Sequence, residues 1–121
     1  MVELGQVDVV ADDLGLVQLG QGRAEAALDF SRRQAWVGGQ EVAITRRELE
    51  VLERLAEAGG HAVSRDDLLQ DVWGEATRET AASLEVMVAR LRRKLERPGG
   101  SAIVRTVRGY GYAVVSGEDA Q

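Results

Sequence analysis

Residues 83–97, with the sequence SLEVMVARLRRKLER, decide the fold because they combine an apolar side and a basic side at helical spacing. The apolar side consists of Leu84, Val88, Leu91 and Leu95. The opposite side consists of Val86, Arg90, Arg93 and Arg97, with Ala82 and Ala89 between them. This period is typical of an α-helix that packs one face on a core. The other face is either a solvated basic surface or a surface that approaches a partner closely.

The charge of the chain is divided along its length. The formal net charge of the 121 residues is −5, which argues mildly against a nucleic-acid partner because domains that bind nucleic acid are usually basic. Residues 76–117, however, contain eight basic and three acidic residues, whereas residues 1–29 contain six acidic residues and one arginine. We therefore expect a local positive field around the C-terminal third in spite of the acidic total.

Length and composition indicate one small domain of a cytoplasmic protein. A chain of this length can bury a single core without covalent staples, and the absence of cysteine excludes disulfides and thiolate metal sites. No apolar run reaches the roughly 18–20 residues that a membrane helix needs, and no signal peptide opens the chain. The single histidine, His61, is expected to be an exposed turn residue. We expect no enzyme activity, cofactor, metal, membrane contact or small-molecule substrate.

The N-terminal half carries the signals of an antiparallel sheet of three to five strands. Short β-rich runs occur at 7–10, 14–19 and 26–30. The clearest signal is a hairpin in which RQAWV (33–37) and QEVAI (40–44) flank two glycines that can supply the positive φ angles of a primed turn. The acidic segment 1–24 is expected to add extra strands to this sheet.

Three helices and a second hairpin follow. Thr45 and Glu48 form the two ends of a capping box, and Ser64 is the N-cap of a second helix. The third helix is predicted at about 80–97, where Pro-Gly-Gly follows it. Two β-rich arms within 102–115 then surround Arg-Gly-Tyr-Gly, which predicts a hairpin with a basic tip. The tail, 116–121, is expected to be disordered.

Three motifs in this order resemble those of a known family. VSRDDLLQDVWG (63–74), SLEVMVARLRRKL (83–95) and TVRGYGY (106–112) are similar to the DNA-binding effector domain of OmpR/PhoB-type bacterial response regulators. The resemblance covers about residues 25–115. It implies an α+β fold, the winged helix-turn-helix, with an N-terminal antiparallel β-sheet, three helices and a C-terminal β-hairpin wing.

The resemblance also implies sequence-specific binding of double-stranded DNA in bacterial transcription regulation. The helix at about 80–97 would enter the major groove, and the wing at 103–115 would lie at the minor groove. Arg90 matches a base or phosphate contact, and an arginine fork that pairs with guanine contributes about 1–3 kcal/mol of discrimination. Arg108 matches an arginine that reaches into the minor groove, where negative potential is concentrated.

Thirteen residues are expected to contact DNA: Arg65, Trp73, Ser83, Val86, Met87, Arg90, Arg92, Arg93, Arg97, Thr106, Arg108, Gly109 and Tyr112. The resemblance implies that Arg65 and Trp73 contact the DNA backbone near the helix-turn-helix turn. It also implies that Thr106 and Tyr112, at the base of the wing, touch phosphate. Gly109 belongs to the tip of the wing.

The other basic residues of the third helix have broader expected roles. Arg93 and Arg97 would meet phosphate or solvent, and Arg92 would either pair with Glu96 one turn later or contact phosphate. The resemblance also implies a loop that contacts RNA polymerase, which consists here of Glu75, Ala76, Thr77, Arg78 and Glu79.

The chain departs from the family pattern on the expected recognition helix. Ala82 and Ala89 stand where many members carry basic residues, and Met87 stands at a groove-facing position where some carry a polar side chain. Fewer cations should weaken binding and make it less dependent on salt, because each neutralised phosphate contributes about 0.9 to the salt slope. Val86 and Met87 could instead contact thymine methyl groups.

Two further questions concern partners. Family members usually carry an N-terminal receiver domain, for which 121 residues leave no room, so the chain is expected to be either an excised output domain or a stand-alone protein. An output domain implies a homodimer on repeated DNA half-sites. The alternative function is a winged-helix module for protein contact, with RNA polymerase or with itself, that binds DNA weakly or not at all.

Overall fold

The computed structural model describes residues 16–19, 26–96 and 102–115, which form two antiparallel sheets and three helices. The strands are β1 (Leu16–Leu19), β2 (Ala26–Asp29), β3 (Gln34–Val37), β4 (Gln40–Val42), β5 (Val63–Ser64), β6 (Val104–Val107) and β7 (Gly111–Val114). The helices are α1 (Arg46–Glu57), α2 (Arg65–Trp73) and α3 (Arg78–Leu95). This order of sheet, three helices and hairpin confirms the predicted α+β architecture.

The first sheet has the strand order β1-β2-β3-β4. Its last hairpin turns at Gly38 and Gly39, whose φ angles of 59° and 83° confirm the predicted primed turn. Strand β1 lies inside the acidic segment 1–24 and pairs with β2, so that Leu19 stands opposite Ala26. The predicted strand at 7–10 lies outside the described residues.

Helix α1 begins with the predicted capping box. The Glu48 amide donates to Thr45 Oγ1 at 3.1 Å, and the Thr45 amide donates to Glu48 Oε1 at 2.9 Å. Leucines at 49, 52 and 55 are buried, and Val51 is buried with them. The helix therefore turns one apolar face toward the sheets and the other two helices.

Helix α2 begins at its predicted N-cap, because the Asp67 amide donates to Ser64 Oγ at 3.0 Å. It ends at Gly74, whose φ of 82° is the left-handed conformation typical of a helix C-terminus. No sequence pattern predicts β5, which pairs antiparallel with β7 and places Ser64 opposite Gly111. A strand of two residues is too short to show an alternating pattern.

Helix α3 spans different residues from those predicted. It begins at Arg78 because Thr77 forms a capping box with Thr80, whose amide donates to Thr77 Oγ1 at 3.1 Å. The helix ends at Leu95, and Arg97 lies outside the described residues. Arg78 and Glu79 therefore belong to the first helical turn, and the loop that precedes α3 is shorter than predicted.

The three helices and both sheets share one core, to which the predicted stripe of α3 contributes Leu84, Val88, Leu91 and Leu95. In the second sheet, which has the order β5-β7-β6, the hairpin of β6 and β7 forms the predicted wing. The tail at 116–121 lies outside the described residues. Among the described helices, none combines the length and apolar character that a membrane crossing requires.

Candidate nucleic-acid interface

A cavity of about 550 Å³ lies between the three helices and brings together five of the expected DNA-contacting residues. Its lining consists of Arg47, Trp73, Ala82, Ser83, Val86, Met87 and Arg90. The residues come from the start of α1, the end of α2 and the central part of α3. The cavity therefore opens beside the face of α3 that the helical pattern turns away from the core.

The outward face of α3 is exposed where the helical pattern places it. Ser83 and Arg90 are exposed, and Val86 retains 55% of its accessible surface. Met87 differs, because only 8% of its surface is exposed and most of the side chain packs in the core. Its remaining surface lines the cavity, so it offers a partner a small apolar area.

Arg92 ties α3 to the wing. Its Nε donates to the carbonyl oxygen of Val104 at 3.2 Å, and its Nη2 donates to Thr106 Oγ1 at 2.6 Å. The alternative pairing with Glu96 does not form; the Glu96 carboxylate instead accepts hydrogen bonds from the amides of Ile103 and Val104 at 2.8 and 3.0 Å. The end of α3 and the start of β6 are thus held together by polar contacts in both directions.

The tip of the wing is exposed, whereas its base is buried. Arg108, Gly109 and Tyr110 form the turn between β6 and β7, and Gly109 has a φ of 75°. Tyr112 is buried in the core, whereas Tyr110 is exposed. Arg108 is therefore free to extend from the tip, while little of Tyr112 is accessible to a partner.

Helix α2 meets the wing at its N-terminus, where the Arg65 amide donates to the Tyr110 carbonyl at 2.9 Å. The Arg65 side chain is exposed there, close in the chain to the Ser64 cap. Arg93 is exposed on α3, and Thr106 is exposed on β6. Arg65, Arg93 and Arg108 are thus exposed on three elements, α2, α3 and the wing, and hydrogen bonds join the wing to both helices.

The segment before α3 combines exposed side chains with a fixed backbone. Glu75, Ala76, Arg78 and Glu79 are exposed, and Thr77 is half-buried. Buried Thr80 donates its hydroxyl to the Glu75 carbonyl at 3.0 Å, so its side chain fixes the start of the segment against the first turn of α3.

Arg47 lines the cavity but is not among the residues expected to contact DNA. Its guanidinium carbon lies 5.0 Å from the centroid of the Trp73 ring, within the range of a cation–π contact. No pattern in the sequence connects the first turn of α1 with the last residue of α2. Only the packing of these two helices brings the residues together.

A buried ion pair crosses from α1 to α3 behind this surface. Lys94 Nζ lies 2.7 Å from Oε1 of Glu48, whose side chain is fully buried. Burial raises the pKa of Glu48, but hydrogen bonds from Lys94 and from the Thr45 amide, together with the charge of Lys94, outweigh it and hold the pKa below its ordinary value. The carboxylate is therefore charged at neutral pH and fixes α3 against the start of α1.

Two curated relatives match most of this chain. The transcriptional regulatory protein BasR of Escherichia coli (strain K12) is 38% identical over 92 residues, which cover 76% of this chain and 40% of BasR. The two-component response regulator PhoP of Pseudomonas aeruginosa is 39% identical over 98 residues, which cover 81% of this chain and 44% of PhoP. The chain thus spans less than half the length of these curated relatives.

Solved structures share the fold. The DNA-binding domain of Klebsiella pneumoniae RstA, solved in complex with the RstA box, has a TM-score of 0.68 and 29% identity, and the match covers 83% of this chain and 96% of that one. The DNA-binding domain of Escherichia coli CpxR has a TM-score of 0.67 and 33% identity, with 82% and 96% coverage. Residues 39–114 match the family described as "Transcriptional regulatory protein, C terminal". The predicted resemblance is confirmed, and the chain belongs to this family of OmpR/PhoB-type response-regulator domains.

Proposed function

We propose that this domain binds double-stranded DNA sequence-specifically in transcription regulation, with α3 in the major groove and the wing of β6 and β7 at the minor groove. The observation that carries the proposal is the exposed face of α3, where Ser83, Val86 and Arg90 stand outward beside an exposed wing tip. The hydrogen bonds of Arg92 hold α3 and the wing in a fixed relative position. Two elements that contact adjacent grooves of one duplex require such a fixed position.

The exposed side chains divide into base contacts and phosphate contacts. Arg90 presents a fork that suits guanine O6 and N7, and exposed Val86 suits a thymine methyl group. Arg108 at the wing tip suits a narrow minor groove. Arg65 and Arg93 are exposed at positions that suit contacts with phosphate. Such contacts orient the domain on the duplex but do not distinguish one base sequence from another.

The remaining expected contacts belong to the same proposal. Thr106 is exposed beside the wing, Trp73 lines the cavity and Gly109 permits the tight turn at the tip. Met87 and Tyr112 have smaller roles in this proposal because most of each side chain is buried.

For the whole protein we propose the output domain of a cytoplasmic two-component response regulator that forms a homodimer on DNA. The curated relatives, which are more than twice as long as the match, support this proposal. Contact with RNA polymerase would use the exposed residues among Glu75–Glu79, which Thr80 holds in a defined conformation.

The test is a titration of a mixed-sequence duplex and then of a selected operator, at salt concentrations between about 50 and 200 mM. Arg90→Ala should cost about 1–3 kcal/mol on the operator and relax the base preference. Arg32→Ala is the control, because Arg32 is an exposed arginine in the turn between β2 and β3. Failure of the parent domain to bind any duplex at low salt would reject DNA binding and favour the protein-contact module.

A further inference from the structure

The cavity beside α3 has an apolar floor between two arginines. Ala82, Val86 and Met87 supply apolar surface, and Ser83 supplies a hydroxyl. Arg90 lines the cavity from α3, and Arg47 lines it from α1. The first two turns of α3 contribute only Ala82 and Ser83 to the lining, and neither is charged. Besides Arg90, the positive charge of the lining therefore comes from Arg47 on α1.

The Arg47 guanidinium makes a cation–π contact with Trp73 and donates no hydrogen bond to the described residues. Its guanidinium carbon lies over the Trp73 ring, 5.0 Å from the ring centroid, which is a cation–π contact that favours this position of the charge. Its Nε lies 3.9 Å from Glu50 Oε1, which is beyond hydrogen-bond distance. None of the described residues accepts a hydrogen bond from this guanidinium, although it carries five N–H donors.

Arg46, the preceding residue, provides a contrast. Its Nε lies 3.6 Å from the same Glu50 side chain, and its side chain is 75% exposed, compared with 46% for Arg47. Arg46 neither lines the cavity nor stacks on Trp73. The two neighbours therefore carry equal charge but differ in whether the structure directs that charge toward the cavity.

We propose that Arg47 binds a phosphodiester oxygen of the duplex that α3 contacts, with Trp73 as the platform that orients its guanidinium. This inference rests on the proposed function. A DNA strand alternates anionic phosphates with apolar deoxyriboses, which matches an apolar floor between two guanidinium groups. A planar guanidinium with free donors suits a phosphate in both charge and geometry.

The experiment compares the salt dependence of duplex binding for the parent domain, Arg47→Ala and Arg46→Ala. Arg47→Ala should reduce the slope of log K against log salt by about 0.9, the contribution of one neutralised phosphate. Between about 50 and 200 mM salt, its affinity should consequently fall about 3.5-fold less than that of the parent. Arg46→Ala should leave the slope unchanged, because Arg46 lies outside the lining of the cavity and pairs only with Glu50 among the described residues.

Arg47→Lys adds a second measurement. It should retain the slope, since it keeps the charge, but should bind less tightly than the parent because an ammonium lacks the planar fork. Equal slopes for the parent, Arg47→Ala and Arg46→Ala, with intact duplex binding, would overturn this inference and leave the proposed function standing. A parent domain that binds no duplex would overturn both. Thermal unfolding of each variant verifies that the fold is retained.

Discussion

At the scale of single residues, the Glu48–Lys94 pair joins the start of α1 to the C-terminal turn of α3. Oε1 of Glu48 accepts two hydrogen bonds, one from the Thr45 amide and one from Lys94 Nζ. Its Oε2 is buried without a hydrogen-bond partner in the described part of the chain. A carboxylate in this position is stabilising only while its cation is present, because an unpaired buried charge is costly.

Lys94→Met should reduce the free energy of unfolding by about 3 kcal/mol at pH 7, because it leaves the Glu48 carboxylate without its cation. The folded-state pKa of Glu48 lies below its ordinary value of 4.5. The pair therefore contributes its full stability above about pH 4.5, and this contribution is lost as the pH falls through the folded-state pKa. Urea unfolding from pH 7 to pH 3 should show the two proteins converging.

Arg93→Met is the control for this prediction, because Arg93 is the exposed neighbour of Lys94 on the same helix. It should change the stability by less than about 0.5 kcal/mol. A constant difference between parent and Lys94→Met across the whole pH range would contradict the assigned role of Glu48.

Gly111→Ala should destabilise the domain by about 2–3 kcal/mol, because an added Cβ would lie 1.9 Å from the Val63 carbonyl oxygen, a backbone atom that cannot rotate away. The clash would separate β5 from β7. Gly109→Ala is the matched comparison, since a Cβ there meets nothing within 4 Å and only the φ of 75° opposes it. It should cost about 1 kcal/mol. Thermal unfolding distinguishes the two, and equal losses would argue against the close approach.

At the scale of elements, α3 and the wing act as one unit. Arg92 donates from α3 to β6, and Glu96 accepts from the residues at the start of β6. Because the Arg92 donor occupies a lone pair of Thr106 Oγ1, the Thr106 hydroxyl hydrogen can be directed toward a phosphate. These contacts therefore fix the position of β6 relative to α3.

Arg92→Ala should lower the free energy of unfolding by about 1–2 kcal/mol, because it removes two hydrogen bonds between α3 and β6. A double-mutant cycle with Thr106→Val should give a coupling energy of about 0.5 kcal/mol or more, since the two side chains are in direct contact. Urea unfolding of the two single variants and the double variant measures it. Additive effects would mean that Arg92 acts independently of the wing.

At the scale of the whole molecule, basic and acidic side chains line two different depressions of the surface. Arg47 and Arg90 line the cavity beside α3. A second groove of about 310 Å³, between α1 and α2, is lined by Glu50, Glu53, Arg54, Glu57, Asp71 and Val72. Arg54 is paired with Asp71 there, so the remaining charge of the groove is negative. An acidic chain can thus present a basic surface.

The double variant Glu53→Gln, Glu57→Gln should bind duplex with a faster association rate at low salt and an unchanged dissociation rate, because it removes long-range repulsion and no contact. Both side chains are exposed, so the fold should be retained. Stopped-flow mixing measures both rates. The acceleration should disappear at about 1 M salt, where the Debye length is about 3 Å. A changed dissociation rate would place these carboxylates in the interface.

The amino-acid sequence by itself determined the features that depend on near neighbours. The caps at Thr45 and Ser64, the turn at Gly38-Gly39 and the buried stripe of α3 all follow from residues within about one or two helical turns of each other, so local patterns identify them. The cap at Thr77 was equally local, but its Thr-x-x-Thr pattern departs from the usual acidic partner, and the start of α3 was therefore misplaced.

The tertiary structure alone decided which side chains are available to a partner. The burial of Met87, the stacking of Arg47 on Trp73 and the link from Arg92 to Thr106, 14 residues away, depend on how helices and wing pack. Helical spacing shows which side of α3 faces outward. It cannot show which neighbouring element covers the edge of that side, because that is set by contacts between residues far apart in the chain.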